Sequence, residues 1–242
     1  MTVKYPRNIA YLGVDLQKTF CPGGGLPVEG GHEIMETNNQ LREKTELGYW
    51  TQDWHPEGHS SFASTHGLEP FTVVDMLDGE IVPEGTEGAI KQMLWPDHGV
   101  QGWEETELHP ALRVPEGDLI VRKGDNPKID SYSCVWENDK KTRPRFENGK
   151  SLPEQAREDG VDTFIIGGLA LDVCVADGAI DLKKEGFRVI VVLDACAAIS
   201  PEGQAAALKR FAEAGVEVVM SDQLDAYLGF NQPAVAPKGP RP

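Results

Sequence analysis

Cysteine is scarce in this sequence. The 242 residues include only four cysteines, and no two of them form a CxxC pair. A chain of this length buries a core large enough to fold without covalent cross-links, so a disulfide framework is not required. We therefore expect free, reduced thiols, as in a cytoplasmic protein.

Long hydrophobic segments and positive charge are scarce as well. The longest apolar stretch, residues 187–199, is too short and too interrupted to cross a bilayer, and residues 1–15 lack the apolar core of a secretory signal. We therefore expect no membrane partner. The chain has 23 Lys and Arg against 39 Asp and Glu, which gives a formal net charge of −16. Because a negative field repels phosphate backbones, we expect no nucleic-acid partner either.

What is present is the composition and pattern of a globular α/β protein, with 40% hydrophobic and 26% charged residues. Short β-branched runs alternate with helical patterns, most regularly after residue 152. The sequence predicts a three-layer α/β/α fold with a six-stranded, mainly parallel sheet between the helices. The predicted strands are 9–15, 48–54, 118–124, 162–170, 187–195 and 216–221, and the predicted helices are 33–46, 152–159, 173–185 and 202–214.

The domain organisation predicted from this pattern is a single domain over residues 1–232. A long segment rich in Gly, Pro, His and Trp, about 55–117, separates the second and third predicted strands. A segment of that length in a compact domain usually builds a site, and we expect short helices within it. Residues 233–242 are rich in proline, and this composition predicts a flexible tail.

Charged or reactive side chains close the first four predicted strands. The first three end in Asp15, Asp53 and Lys123, and the fourth continues into residues 167–174, GGLALDVC. Ligands bind at the carboxyl ends of strands in open parallel sheets. We therefore expect these groups, which are distant in the sequence, to gather at one edge of the sheet.

Cys174 is a candidate nucleophile. A free thiol is mostly protonated at neutral pH, so it needs a base and a neighbouring cation, which Asp15 and Lys123 can supply. Cys174 also starts a predicted helix, where the helix dipole favours negative charge. Each residue has an ordinary alternative: Asp15 capping a turn, Lys123 as a solvated strand end, and Cys174 as a small buried hydrophobe.

Two other patterns suggest parts of the same site. In DWHPEGH, residues 53–59, Asp53 and His55 can point the same way, and with His98 they form a plausible first shell for Zn, Fe or Mn. The alternative is a strand end followed by a turn, with His98 structural. After the fourth strand, the amides of Ala170 and Cys174 are candidate oxyanion donors. The alternative there is an ordinary β-α turn.

Five segments, taken together and in this order, resemble the isochorismatase-like cysteine hydrolases and, within them, the nicotinamidases. They extend over most of the chain from residue 11 to residue 196. These segments are GVDLQKTFCPGGGLPV, TQDWHPEGHSSFAS, LWPDHGVQG, RKGDNPKIDSYSCVWEN and GGLALDVCVADGAIDLKKEGFRVIVVLDAC.

The resemblance implies an activity: hydrolysis of nicotinamide to nicotinate and ammonia through a cysteine thioester, in NAD salvage. It implies a small-molecule amide as partner and leaves the oligomeric state open from monomer to tetramer. It also implies one divalent metal ion, with zinc first and iron or manganese as alternatives. The residues that it implies are the triad Asp15, Lys123 and Cys174, the metal ligands Asp53, His55 and His98 with His59 as a secondary candidate, the ring-flanking Phe20, Trp95 and Tyr132, and a cis peptide at Leu169–Ala170.

Four positions depart from the pattern of the nicotinamidases: Gly99, Trp103, Cys134 and Leu171. They leave the preferred amide open, so that pyrazinamide, maleamate or an N-carbamoyl compound remain alternatives of the same chemistry. An alternative that is not an enzyme is a non-catalytic metal-binding module on the same scaffold. The presence of a complete triad argues against it.

Overall fold

A computed structural model describes residues 3–230. The predicted tail at 233–242 lies outside the described residues. Each of the six predicted strands is present, with ends within two residues of the prediction. The strands of the described chain are β1 Ile9–Val14, β2 Leu47–Asp53, β3 Val73–Leu77, β4 Glu80–Val82, β5 Ile90–Met93, β6 Leu119–Lys123, β7 Thr163–Gly168, β8 Arg188–Cys196 and β9 Glu217–Val219, and the α-helices are α1 Met35–Lys44, α2 Ala63–His66, α3 Leu152–Glu158, α4 Ala176–Lys184, α5 Pro201–Ala214 and α6 Leu224–Tyr227.

The main sheet has six strands in the order β6-β2-β1-β7-β8-β9, and every neighbouring pair is parallel. Strands β1 and β7 are buried along their whole length because apolar cores cover both faces of the sheet. Leu12 packs into the core that contains residues of α3, α4 and α5, whereas Tyr11 packs into the opposite core with residues of α1 and α6. The predicted three-layer α/β/α fold is therefore confirmed.

Local sequence signals explain where the helices begin and end. The amide of Gly203 donates to the Ser200 hydroxyl at 2.9 Å, and Pro201 follows this cap as the first residue of α5. The helix ends before Gly215, whose φ of 73° is in the left-handed region. Ser151 and Glu154 form a reciprocal capping box at the start of α3.

The predicted insertion at 55–117 contains the four-residue helix α2, but also a three-stranded antiparallel sheet, β4-β3-β5, that was not predicted. These strands are three to five residues long and mostly not buried, so they lack the apolar runs that indicated the main sheet. The Asp78-Gly79 dipeptide was an available signal. Both residues have positive φ, as a two-residue hairpin turn requires.

Between residues 3 and 230, none of the helices combines the length and the apolar character that a membrane crossing requires.

Candidate active site

The carboxyl ends of β6, β2, β1 and β7 lie side by side in the main sheet. Lys123 and Asp53 are the last residues of β6 and β2, and Asp15 directly follows β1. Cys174 lies in a five-residue π-helical turn, 171–175, which follows β7 and continues into α4. The topology therefore brings four side chains from distant parts of the sequence to one edge.

Lys123 lies at the centre of this group and is fully buried. Its Nζ is 2.9 Å from Asp15 Oδ2 and 3.5 Å from Cys174 Sγ, and it also contacts the Asp53 carboxylate. It donates a further hydrogen bond to the Ser131 carbonyl at 2.9 Å. Burial alone would lower the pKa of Lys123, but the two carboxylates raise it well above its ordinary value. The amine is therefore a charged ammonium.

The Cys174 thiol is buried beside the carboxylates. A carboxylate oxygen of Asp15 and one of Asp53 each lie within 4.8 Å of Cys174 Sγ. Burial raises the pKa of the thiol well above its ordinary value, Lys123 opposes that shift, and the two carboxylates reinforce it. The resting cysteine is therefore a neutral thiol, which must give up a proton before it can attack.

Asp15 is held by a residue that was not predicted. Its φ of 47° is uncommon for a residue other than glycine, and its amide donates to Thr51 Oγ1 at 3.0 Å. The Thr51 hydroxyl donates in turn to Asp15 Oδ1. Thr51 lies on β2, the neighbour of β1, so the pairing of these strands orients the carboxylate.

Three side chains beside the Lys123 group form a candidate metal centre. Asp53, His55 and His98 are buried, and one ligand atom from each lies within 4.8 Å of the others. His55 Nδ1 donates to the Gly124 carbonyl at 2.9 Å, and His98 Nδ1 donates to the Pro96 carbonyl at 2.7 Å.

Both histidines therefore aim an Nε2 lone pair at Asp53 Oδ2, from 3.8 Å and 3.7 Å. His55 Nε2 is buried and has no hydrogen-bond partner in residues 3–230. Imidazoles oriented by backbone carbonyls and facing a carboxylate are the usual environment of a divalent metal ion. The donor set thus fits such an ion.

His59 lies near this cluster with both ring nitrogens engaged. Its ring centroid is 4.4 Å from that of His55. Nε2 donates to the Asn126 carbonyl at 2.8 Å, and Nδ1 accepts from the Ser61 amide at 3.1 Å. In this geometry His59 packs against His55 and presents no free lone pair to the cluster.

Sequence reasoning missed two polar residues of the centre. Asp130 is buried, with Oδ1 at 3.8 Å from His55 Nε2. Gln17 accepts from the Asp53 amide at 2.8 Å and donates to the Asp53 carbonyl at 2.9 Å, so it clamps the backbone of that residue on both sides. Asp130 lies in one of the five quoted segments but has no pattern around it that predicts a role.

A cavity opens directly onto Cys174 and the metal centre, and all three predicted ring-flanking residues line it. Trp95 Nε1 donates to the Tyr132 hydroxyl at 3.2 Å, which fixes two of these walls relative to each other. The expected cis peptide at Leu169–Ala170 is present at the cavity. The lining residues are Phe20, Leu26, Val28, Asp53, Trp95, His98, Asp130, Tyr132, Ala170, Val173, Cys174 and Ile199.

None of the four departures from the nicotinamidase pattern is among the residues that line the cavity. Leu171 is buried in the apolar core, and Cys134 is buried against Gly178. Trp103 is 46% exposed. Gly99 has a φ of 57°, and a Cβ there would be 3.0 Å from the Asp53 Cβ. The departures, which left the preferred amide open, therefore have no direct contact with the cavity.

Comparison with known proteins gives one consistent result. The model of the isochorismatase domain family matches residues 10–223. The nicotinamidase of Acinetobacter baylyi is 42% identical over 204 residues, covering 84% of this chain and 87% of the relative. The nicotinamidase of Escherichia coli is 36% identical over 212 residues, covering 85% and 92%.

Solved structures agree with these relatives. A nicotinamidase pyrazinamidase of Acinetobacter baumanii has a TM-score of 0.81 at 38% identity, covering 91% of this chain and all of that one. PnC1 of L. infantum in complex with nicotinate has a TM-score of 0.71 at 29% identity, covering 92% and 98%. The pyrazinamidase of Pyrococcus horikoshii in complex with zinc has a TM-score of 0.67 at 30% identity, covering 89% and 99%. The chain belongs to the isochorismatase domain family.

Proposed function

We propose that this protein is a nicotinamidase, which hydrolyses nicotinamide to nicotinate and ammonia through a thioester on Cys174. The named relatives and the nicotinate complex of a structural neighbour support the substrate. The observation that carries the proposal is the position of Lys123, whose ammonium contacts Asp15 at 2.9 Å and Cys174 at 3.5 Å beside an aromatic-lined cavity.

Asp15 is the general base of the first step. The thiol proton passes to the Asp15 carboxylate as the sulfur attacks the carboxamide carbon and forms the C–S bond. Lys123 stabilises the negative charge that develops on the sulfur and holds the carboxylate beside it. The neutral resting thiol agrees with this order of events, because deprotonation and attack occur together.

The carbonyl oxygen becomes an oxyanion during the attack. The amides of Ala170 and Cys174 donate to it, at about 3 kcal/mol of transition-state stabilisation per donor. Asp15 then returns its proton to the leaving nitrogen, the C–N bond breaks, and ammonia departs. Water, deprotonated by Asp15, next attacks the thioester carbon and forms the C–O bond. The C–S bond breaks, Asp15 returns the proton to the Cys174 sulfur, and nicotinate leaves.

Asp53, His55 and His98 would hold one divalent metal ion, and zinc is our first choice because the Pyrococcus horikoshii pyrazinamidase is in complex with it. Such an ion would supply a Lewis acid beside the cavity and so help to position the ring. Phe20, Trp95 and Tyr132 bind the faces and edge of the ring and exclude water from it.

Gly124→Ala should weaken metal binding, because a Cβ at this position would lie 2.3 Å from Cε1 of His55. We expect the dissociation constant for Zn²⁺ to rise about 100-fold, the upper range for changes that misorient a ligand. Isothermal titration of the metal-free variant measures this directly.

Gly149→Ala is the matched control for this change. Gly149 has a similar positive φ of 83°, and a Cβ there would meet no atom of residues 3–230 within 4 Å. The control therefore carries the same backbone strain without touching a ligand. Equal metal affinity in the two variants would contradict the assignment of His55 as a ligand oriented by Gly124.

An ammonia-release assay across amides tests the substrate. We expect nicotinamide and pyrazinamide to be hydrolysed, because both have a ring nitrogen at the same distance from the carboxamide. Maleamate and N-carbamoyl compounds lack the ring that the aromatic walls contact, so their kcat/KM should be about 100-fold lower. A kcat/KM for maleamate equal to or higher than that for nicotinamide would contradict the proposed substrate and indicate a related amidohydrolase.

A further inference from the structure

A second cluster of metal-ligating side chains lies outside the site described above. One ligand atom each from Cys21, His32 and His109 lies within 4.8 Å of the others. His32 Nδ1 and His109 Nε2 face each other at 3.1 Å. Nitrogens bound to one tetrahedral Zn²⁺ ion are about 3.3 Å apart, and a nitrogen and a thiolate about 3.5 Å. The two nitrogens are thus at nearly the separation that one ion requires, and the Cys21 sulfur lies within 4.8 Å of a ligand nitrogen of each histidine.

Backbone contacts hold these three side chains in place. Cys21 follows a short 3₁₀ turn, and its amide donates to the Lys18 carbonyl at 3.0 Å. The His109 amide donates to the Leu16 carbonyl at 2.8 Å. A Cβ at Gly31 would lie 3.3 Å from the Cys21 Cα, so the glycine before His32 permits the close approach of the two segments.

The hydrogen bonds of the histidines define what a metal would have to displace. His32 Nε2 donates to the Pro22 carbonyl at 3.1 Å, which leaves a lone pair on Nδ1 pointing into the cluster. His109 Nδ1 accepts from the Ala111 amide at 3.2 Å, so His109 Nε2 carries the proton in the metal-free protein. Binding at Nε2 moves that proton to Nδ1. The ion thus displaces the Ala111 bond, the bond between the two histidines, and the bond that the Cys21 thiol donates to the Gln17 carbonyl at 3.5 Å.

We propose that Cys21, His32 and His109 form a second metal site for a thiophilic divalent ion, with Zn²⁺ as the first choice. Two imidazoles and a thiolate are ligands that zinc prefers. Cys21 is buried whereas His32 is exposed, so the ion is reached from the solvent side and a water completes the coordination. Binding converts the thiol to a thiolate and releases one proton.

The second site ties two segments that surround the substrate cavity. Residues 21–32 include Leu26 and Val28, which line the cavity, and His109 belongs to the insertion. An ion bound by both segments holds the cavity wall formed by Leu26 and Val28 against the insertion. The site takes no part in the hydrolytic steps, and its test does not depend on the proposed reaction.

Metal stoichiometry tests the proposal. The full-length chain is stripped with a chelator, dialysed against Zn²⁺ and analysed by elemental mass spectrometry. We expect two ions per chain for the unchanged protein and for the control His66→Ala, whose histidine belongs to neither cluster. We expect one ion for Cys21→Ser and for His32→Ala. If Cys21→Ser and His32→Ala both keep the full ion count of the unchanged protein, the second site is overturned.

Loading with Co²⁺ identifies the sulfur ligand. A thiolate-to-cobalt charge-transfer band should appear in the unchanged protein, persist in Cys174→Ala and be lost in Cys21→Ser. Absence of the band from the unchanged protein, or its persistence in Cys21→Ser, would contradict coordination by Cys21. His32 is exposed, so the His32→Ala variant retains the fold and keeps the stoichiometry measurement interpretable.

Discussion

Replacement of Cys174 by alanine is expected to lower kcat for ammonia release by at least about 10⁴-fold, because the thioester cannot form without the sulfur. The side chain is buried beside Lys123 and Asp15, and alanine leaves both charged groups in contact with each other. The far-ultraviolet circular dichroism and the urea midpoint should therefore change little. Steady-state ammonia release at saturating nicotinamide is the measurement.

Cys196→Ala is the control for this experiment. Cys196 is also a buried free cysteine, at the end of β8, but it does not line the cavity. Its replacement should leave kcat within a few-fold of the unchanged enzyme. Near-normal ammonia release from Cys174→Ala would refute covalent catalysis, whereas a comparable loss in Cys196→Ala would indicate a general effect of core cysteines.

Lys123→Met is expected to damage both folding and catalysis. Removing the ammonium leaves the carboxylates of Asp15 and Asp53 buried without their shared partner. Breaking a buried ion pair from one side costs about 3–5 kcal/mol, so the free energy of unfolding should fall by that amount. The kcat of the folded fraction should fall about 10³-fold, because the charge on sulfur loses its stabilising cation. Urea denaturation of the metal-free protein and kcat measure the two effects.

Lys209→Met provides the matched comparison. Lys209 lies on α5 with its side chain 78% exposed and its partner Glu213 at 3.9 Å. Exposed pairs of this kind contribute about 0–1 kcal/mol, so its loss should be nearly silent in both assays. Equal stability of Lys123→Met and Lys209→Met would contradict the position of Lys123 as a buried counter-ion.

The site residues at the strand ends were predictable because charged residues follow the apolar runs and the parallel sheet brings these ends together. A buried parallel strand appears in the sequence as an apolar run, so the charged residue that closes it is conspicuous. Asp15, Asp53 and Lys123 all occupy such positions, and parallel pairing aligns these ends. The convergence of three distant side chains thus followed from the sequence, whereas their catalytic roles are proposals.

Residues that act through contacts with distant parts of the chain gave no comparable signal. Thr51 and Gln17 act through hydrogen bonds to residues 36 positions away, and Asp130 lies in an irregular segment. The π-helical turn at 171–175 also differs from the predicted start of an α-helix at 173. Such features depend on the packed structure, which a linear pattern does not contain.

Acid quenching followed by mass spectrometry tests the central claim most directly. The enzyme is mixed with excess nicotinamide, stopped at successive times and digested. We predict a nicotinoyl group on the peptide that contains Cys174, and no such adduct in Cys174→Ala. A nicotinoyl group on another residue, or a chain that is free of adduct at every time while it releases ammonia, would contradict the thioester.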